Sequence, residues 1–282
     1  MTINMGNKVD LMSLYWTTAG VFPGRGEISR FDFKDRVQAA ARAGFAGIGI
    51  WHTDLEHILQ RRPLKEMKRI LDDHGMKHIE LEFLTDWFLD GARKAESDIR
   101  KKRLFRASEA LHAKHIKVGD FYNATCPMPR IVESFAALCK EAENYGATIG
   151  FEIMGCSMIG DIKDALTMVK TAGAKNGGLI IDIYQVANLG MTYEEINSVP
   201  LKYLTSVELN DGTLPGSPDH DPSNRRFCGE GEYDIKGFIN CVKNMGYIGP
   251  WGVEVISEKL AMLPLNELST RAFNTTIAEF AD

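Results

Sequence analysis

The sequence predicts an α/β fold in which eight parallel strands alternate with helices and close into a barrel. Apolar runs of strand length alternate with stretches of helical period through eight rounds, which favours a parallel sheet. The runs are apolar throughout, as in strands that are buried on both faces. The stretch TTAGVFPGRGEISRFD after the first run lacks the glycine-rich phosphate loop that is typical of the alternative, a doubly wound open sheet. We therefore expect a (β/α)8 TIM barrel.

One barrel accounts for the whole length, because such barrels run to roughly 250 residues. We predict a single TIM-barrel domain over residues 1–282, since no linker, repeat or low-complexity tract divides the chain. The strand candidates are Val9–Trp16, Gly47–His52, His78–Leu84, His115–Tyr122, Thr148–Ile153, Gly178–Tyr184, Leu204–Leu209 and Trp251–Ile256.

The helical stretches between the strand candidates carry end signals. DFKDRVQAAARAG begins at an Asp cap and stops at Gly44. PLKEMKRILDDHG has Pro63 in its first turn, and DIKGFINCVKNMG ends at Gly246. These signals support the division of the chain into strand and helix pairs.

Composition excludes several classes of function. The formal net charge of −5 argues against a nucleic-acid partner. The five cysteines lack C-x-x-C spacing, so we expect neither disulfides nor a zinc–thiolate site. No apolar run is long enough to cross a membrane, and the start does not resemble a signal peptide. We expect a cytoplasmic protein that binds neither a membrane nor a nucleic acid.

Acidic residues stand near the carboxyl ends of the last four predicted strands: Glu152, Asp182, Glu208 and Glu254. A carboxylate in an apolar strand is costly unless something neutralises it, and these strand ends surround the active-site mouth of a TIM barrel. A divalent cation is the natural neutraliser of four converging acids. A salt bridge at the barrel rim would explain any one of them, but the shared placement of all four favours a metal site.

Four segments carry a more specific pattern: FEIM, LIIDIYQ, SVELNDG and RRFCGEGEYDIKGFINCVKNMGYIGPWGVEV. In this order, the chain resembles the xylose-isomerase-like TIM-barrel superfamily of sugar phosphate isomerases and epimerases over nearly its whole length. The last segment is similar to the family's Arg-x-x-Gly-Glu-Gly-x-x-Asp stretch, which continues through Gly-Tyr-x-Gly to a strand ending in Glu. The group includes ketose 3-epimerases, inosose isomerases and dehydratases, and endonuclease-IV-like proteins, so the resemblance implies a superfamily and not a reaction.

The resemblance implies one divalent ion with four ligands, namely Glu152, Asp182, the residue at 208 and Glu254. The family usually has His where Glu208 stands, and a second His where this chain has Gln185. The resulting all-oxygen set favours Mn²⁺ or Mg²⁺ over Zn²⁺. Four carboxylates around one divalent ion leave an excess of about two negative charges, so we expect one acid to be protonated or non-ligating. Whether Glu208 is a ligand stays open.

The predicted function is that of an isomerase or epimerase that acts on a sugar or polyol ketone through a metal-stabilised enediolate. A divalent ion on a carbonyl and its neighbouring hydroxyl acidifies the adjacent C–H. In similar epimerases the glutamates of strands five and eight are both ligands and acid/base pair, which implies catalytic roles for Glu152 and Glu254. The alternative is a lyase that eliminates from the same enediolate, such as an inosose-type dehydratase or a β-eliminating deglycosidase of an oxidised glycoside.

Residues near three other strands are candidates for substrate binding. Trp51 and His52 end strand two and are expected to face the mouth, where an aromatic beside a polar group suits a sugar; a packed Trp is the alternative. Glu82 shares one face of strand three with Glu80, and these acids contact either the substrate or Lys117 of strand four. Gln185, which follows strand six, completes this group.

Two further candidates lie after strand seven. Arg226 precedes CGEG and would hold a substrate hydroxyl or carboxylate, although a surface salt bridge is equally compatible because Arg225 is adjacent. His220 lies in a long loop of the kind that forms lids in barrels, and a solvated loop histidine is the alternative.

Two other functions fit the sequence less well. An endonuclease-IV-like DNA-repair enzyme needs a histidine-rich zinc cluster and a basic cleft, but none of the seven histidines lies on strands five to eight. A non-catalytic sugar-binding subunit would not need all four acids. We expect a small carbohydrate substrate, and the resemblance implies a homo-oligomer, either a dimer or a tetramer.

Overall fold

The computed structural model describes residues 9–281 and contains a closed barrel. Its strands pair in parallel in chain order, and the last strand pairs with the first. This confirms the predicted α/β class and (β/α)8 TIM barrel. The predicted single domain over 1–282 includes residues 1–8 and 282, which lie outside the described residues. The strands are β1 (Leu11–Ser13), β2 (Gly47–Trp51), β3 (His78–Leu84), β4 (His115–Val118), β5 (Ile149–Glu152), β6 (Gly177–Asp182), β7 (Leu204–Leu209) and β8 (Trp251–Val253).

Helices surround the barrel and cover its outer face. Within the described residues they are α1 (Tyr15–Thr18), α2 (Phe33–Ala43), α3 (His52–Leu59), α4 (Leu64–Asp73), α5 (Gly91–Leu111), α6 (Met128–Glu143), α7 (Ile162–Ala172), α8 (Ile183–Leu189), α9 (Tyr193–Asn197), α10 (Ile235–Asn244) and α11 (Leu265–Ala278). Short 3-10 helices span Leu201–Tyr203 and Leu260–Met262. Over residues 9–281, no helix is both long and apolar enough to cross a membrane.

Local sequence chemistry sets the ends of α2. The Asp32 carboxylate accepts a hydrogen bond from the Lys34 amide at 2.9 Å, which satisfies a free N–H of the first turn. The helix ends at Gly44, whose φ of 115° is a left-handed conformation that favours glycine. The helix predicted from DFKDRVQAAARAG is therefore confirmed.

Several predicted strands are too long at their carboxyl ends. The first was predicted to reach Trp16, but it ends at Ser13 and a helical turn begins at Tyr15. The Tyr15 amide donates to the Glu82 carboxylate at 3.1 Å instead of to a neighbouring strand. These residues are buried in either conformation, so hydropathy does not mark the change from strand to helix.

The barrel positions its functional side chains by register. Glu152 is the last residue of β5 and Asp182 the last of β6, while Glu208 pairs with both Asp182 and Gly252. Glu254 follows β8 directly, and its amide donates to the Leu209 carbonyl at 3.0 Å. The carboxyl ends of β5–β8 therefore bring four acids to the same end of the barrel.

Candidate active site

Four buried carboxylates converge at the carboxyl-terminal mouth of the barrel. Glu152, Asp182, Glu208 and Glu254 each offer an oxygen, and these four oxygens lie within 4.8 Å of one another. All four residues are at most 4% exposed. Like charges this close raise each other's energy strongly in a dry environment, so cations are required to balance them.

Lys117 of β4 supplies one of these cations from the barrel interior. Its ammonium is fully buried and lies 2.7 Å from Glu208 Oε1 and 3.0 Å from Glu254 Oε1. It also lies 3.2 Å from Glu80 and 3.6 Å from Glu82, both on β3. The sequence offered a contact between Lys117 and the β3 acids as one alternative, but it did not indicate that the lysine reaches the acids of β7 and β8.

Arg225 supplies a second cation from the loop after β7. Its Nη1 lies 3.0 Å from both Asp182 Oδ2 and Glu254 Oε2, and its guanidinium stacks on the Tyr184 ring at 4.0 Å. The Asn210 amide adds a hydrogen bond of 2.7 Å to Asp182 Oδ1. Neither Arg225 nor Asn210 was predicted as a site residue.

Burial and the mutual proximity of the acids shift their pKa values. Burial, reinforced by the charges of Glu254 and Asp182, raises the pKa of Glu152 to about 8, although Lys117 acts in the opposite direction. Burial likewise raises the pKa of Asp182 and holds that of Glu208 well above its ordinary value. The expectation that one acid is protonated in the cluster agrees with these directions.

The pKa values of the two acids of β3 are shifted in opposite directions. Burial raises the pKa of Glu82 to about 8, even though Lys117 lowers it. Burial also acts to raise the pKa of Glu80, but the charges of Lys117 and His115 outweigh it and lower that pKa to about 2. His115 Nε2 lies 2.5 Å from Glu80 Oε2. Glu80 therefore has His115 and Lys117 as close partners, whereas Glu82 has the Tyr15 amide and the more distant Lys117.

The GEG motif folds around the carboxylate of Asp211. Its oxygens accept hydrogen bonds from the amides of Gly231, Tyr233 and Gly212 at 2.8 to 3.0 Å. A Cβ on Gly231 would lie 2.2 Å from Asp211 Oδ1, so only glycine fits this position without a shift. The motif thus shapes the loop that carries Arg225 to the acids.

The substrate-binding candidates of β2 lie beside an aromatic cluster. Trp51 is 5% exposed and packs with Tyr15, Trp16 and Phe83, which is the packed arrangement that the sequence left open. His52, at the start of α3, bonds Thr53 through Nδ1 at 3.1 Å. Burial lowers the pKa of His52 to about 3, so its imidazole is neutral near pH 7.

Glu82 and Gln185 lie close to the acid cluster but are held by neighbours. Glu82 is fully buried, between the Tyr15 amide and Lys117. The Gln185 side chain, which is 8% exposed, accepts a hydrogen bond from the Gly155 amide at 3.1 Å. Gln185 therefore positions the loop after β5, and a role for either residue in substrate binding stays a prediction.

Arg226 and His220 lie outside the acid cluster. Arg226 donates to Asp219 at 3.0 Å and to the Glu230 carbonyl, and its side chain is 39% exposed. Successive residues of an extended segment point to opposite faces, so Arg225 is directed inward where Arg226 is not. His220 Nδ1 bonds the Thr213 carbonyl at 3.0 Å within its own loop. The surface salt bridge that the sequence left open for Arg226 is the arrangement observed.

The fold and the acid cluster define a class: a TIM barrel with a carboxylate centre at the mouth of strands five to eight. The chain belongs to the xylose isomerase-like TIM barrel family, whose model matches residues 37–274. This membership confirms the superfamily that the four sequence segments indicated.

Curated relatives carry enzyme names. The chain is 25% identical over 238 residues to 3-dehydroshikimate dehydratase from Pseudomonas aeruginosa. This alignment covers 82% of this chain and 37% of that protein. It is 24% identical over 152 residues to inosose isomerase from Bacillus subtilis, which covers 52% of this chain and 53% of that protein. The chain thus spans little more than a third of the dehydratase and about half of the isomerase.

Solved structures share the fold over nearly the full length. A structure of IolI protein with a zinc atom superposes with a TM-score of 0.84 at 18% identity, covering 96% of this chain and 98% of that chain. D-allulose 3-epimerase from Methylomonas sp., in complex with D-allulose, gives a TM-score of 0.74 at 15% identity, covering 97% and 98%. At these identities the likeness establishes the fold.

Proposed function

We propose that the chain is a divalent-metal-dependent isomerase or epimerase that moves a proton next to the carbonyl of a sugar or polyol ketone. The observation that carries this proposal is the convergence of four carboxylate oxygens within 4.8 Å at the barrel mouth. The names of the relatives, inosose isomerase and 3-dehydroshikimate dehydratase, support chemistry on a small cyclic or open polyol.

The charges at the mouth fit a divalent ion. In the described part of the chain, the four carboxyl groups face two cations, Arg225 and Lys117, and Lys117 is shared with Glu80 and Glu82. When all four acids are ionised, at least two negative charges therefore remain. Glu152, Asp182 and Glu254 would hold the ion, with Glu208 as the fourth predicted ligand. A donor set made only of carboxylates favours Mn²⁺ or Mg²⁺.

The chain's own carboxyl groups supply the proton transfer. When bound, the metal acidifies the C–H beside a substrate carbonyl as a Lewis acid. Glu152, at the end of β5, is the carboxyl group proposed to return the proton to the substrate. Lys117 and Arg225 donate hydrogen bonds to the Glu254 carboxylate, which hold it in position to accept the substrate proton. One carboxyl group can thus take the proton from the substrate and the other can return it.

A lyase on the same scaffold is the second candidate, and the dehydratase relatives favour it. Two 3-dehydroshikimate dehydratases match more than four fifths of this chain, whereas the inosose isomerase match covers about half. Both reactions begin with the same proton abstraction, so the same residues would serve elimination when a leaving group lies β to the carbonyl.

Solvent proton exchange tests the proposal. Wild-type protein with Mn²⁺ would be incubated in D₂O with a ketose, an inosose and 3-dehydroshikimate, and the products measured by NMR and mass spectrometry. We expect deuterium to enter one substrate, with exchange lost in Glu152→Gln and Glu254→Gln but kept in Glu133→Gln, a surface control on α6. A product of unchanged skeleton mass indicates isomerisation, and loss of water indicates a lyase. Full exchange in Glu254→Gln would contradict the proposed roles.

Several finer expectations accompany this function. Trp51, His52, Glu82, Gln185, Arg226 and His220 remain the predicted substrate contacts. A homo-oligomer, either a dimer or a tetramer, remains a prediction that light scattering of the purified protein tests. A cytoplasmic location also remains a prediction from the sequence.

A further inference from the structure

The two oxygens of the Asp182 carboxylate are occupied unequally. Oδ1 accepts hydrogen bonds from the Asn210 side-chain amide at 2.7 Å and from the Tyr184 backbone amide at 3.0 Å. Oδ2 accepts one from Arg225 Nη1 at 3.0 Å. Because each carboxylate oxygen has about two lone pairs, both lone pairs of Oδ1 are used and one remains on Oδ2. Oδ2 is therefore the oxygen that Asp182 can offer to a metal ion.

Asn210 reaches Asp182 from the neighbouring strand. It directly follows β7, which ends at Leu209, and it is fully buried. Successive side chains of an extended segment point to opposite faces. Asn210 accordingly faces the acid cluster, whereas the next residue, Asp211, faces the GEG loop and accepts hydrogen bonds from its amides. The chain thus places the amide donor and the anchor of the loop in adjacent positions.

Among the described residues, the Asn210 side chain is paired only through its amide nitrogen. Nδ2 must face Asp182, because a carbonyl oxygen and a carboxylate oxygen are both acceptors. The carbonyl Oδ1 is buried and has no hydrogen-bond donor within residues 9–281. An unpaired buried acceptor lowers stability, and a leucine of similar size would avoid it. The stability of the fold therefore does not account for an asparagine here, but the contact with Asp182 does.

A second asparagine with the same unpaired oxygen serves a different role. Asn176 directly precedes β6, at the opposite end of the strand from Asp182. Its Nδ2 donates to the Cys139 and Ala147 carbonyls at 2.9 Å each, while its Oδ1 has no donor in the described part of the chain. Asn176 therefore ties backbone segments together, whereas Asn210 holds a proposed metal ligand.

We propose that Asn210 is a positioning residue for the metal centre. Its amide holds Oδ1 of Asp182, fixes the orientation of the carboxylate and leaves Oδ2 for the divalent ion. Groups that hydrogen bond to a metal ligand orient it, and their loss typically weakens metal binding by about 10–100-fold. This inference rests on the proposed function, because it takes Asp182 as a metal ligand.

Replacing each asparagine with leucine separates the two roles. We expect Asn210→Leu to weaken binding of Mn²⁺, titrated alone and followed by the EPR signal of free Mn²⁺, by about 10–100-fold. In metal-free protein, its thermal midpoint should stay within about 2 °C of wild type, because the lost hydrogen bond and the removed unpaired acceptor offset each other. Asn176→Leu should do the reverse, with a midpoint lower by about 4 °C or more and unchanged affinity for Mn²⁺.

An Asp182→Asn background tests whether Asn210 acts through Asp182. In that background, Asn210→Leu should cause no further loss of Mn²⁺ affinity. A further loss as large as the one that Asn210→Leu causes on its own would overturn the inference. Wild-type affinity in Asn210→Leu, or a midpoint as low as that of Asn176→Leu, would also overturn it.

Two further outcomes are separable from these. Should Asn210→Leu not fold, Asn210→Ala removes the amide without adding apolar volume, and the same loss of Mn²⁺ affinity is expected; unchanged affinity in Asn210→Ala would overturn the inference. A wild-type protein that binds no Mn²⁺ would overturn the proposed function and this inference with it, whereas all the other contradicting outcomes leave the proposed function in place.

Discussion

Two adjacent arginines show how residue-level detail decides the site. Arg225 is 7% exposed and bridges Asp182 and Glu254, whereas Arg226 forms an exposed pair with Asp219. The sequence indicated an arginine before CGEG as a site candidate. Successive side chains of an extended segment point to opposite faces, and the sequence does not determine which of the two arginines points inward. The arginine that contacts the acids is therefore Arg225, next to the predicted candidate Arg226, whose role in substrate binding stays a prediction.

Replacing each arginine with methionine should separate these environments. Arg225→Met leaves buried Asp182 without its cation and leaves Glu254 with Lys117 alone, so the free energy of unfolding of the metal-free protein should fall by about 3–5 kcal/mol. Arg226→Met removes an exposed pair and should cost about 0–1 kcal/mol. Urea unfolding of both variants checks this. Equal losses would show that Arg225 does not have the buried pairing described.

The raised pKa of Glu82 predicts a pH dependence of stability. Its pKa is about 8 in the folded protein and near 4.5 when unfolded, so the folded state binds more protons between these values. The stability from this group is present below pH 4.5 and is lost as the pH rises through 8. In metal-free protein, Glu82→Gln should therefore flatten the decline of the thermal midpoint across this window. Glu133→Gln serves as the surface control, and an equal slope in Glu82→Gln and wild type would contradict the shift.

At the scale of elements, the hydrophobic periodicity of the sequence predicted the strands and helices, but it did not predict where the strands end. The strands His78–Leu84 and Leu204–Leu209 match their predicted bounds. The prediction for β8 extended to Ile256, but the strand ends at Val253. Apolar residues continue into the buried loops at the mouth, so hydropathy has no boundary there, and hydrogen bonding alone defines the strand end.

The loop after β7 depends on glycine at one position. Gly231→Ala would place a methyl group 2.2 Å from the Asp211 carboxylate and disturb the loop that carries Arg225. We expect a loss of about 1–3 kcal/mol in the free energy of unfolding, the usual cost of overpacking.

Gly26→Ala, in the segment between β1 and α2, is the control, because a Cβ there would meet no atom of the described residues within 4 Å. Thermal and urea unfolding of both variants would be compared. A tolerated Gly231→Ala would show that the Asp211 contacts do not fix the loop.

At the scale of the whole molecule, the sequence predicted where acids would meet but not what would balance them. The order of strands around a barrel follows the chain, so acids at the ends of four consecutive strands must converge. Lys117 lies on β4 and reaches acids of β7 and β8 across the interior. Such a contact depends on side-chain length and on neighbouring glycines, which strand periodicity does not encode.

The proposed proton transfer requires a divalent ion at the mouth of the barrel. The most direct test is elemental analysis of protein purified without chelator, with the Glu152→Gln/Glu254→Gln double variant beside it. We expect about one equivalent of Mn or Mg per chain in wild type, lost in the double variant. A wild-type protein that binds no metal, even after addition of Mn²⁺, would contradict it and leave Lys117 and Arg225 as the only cations of the site in the described residues.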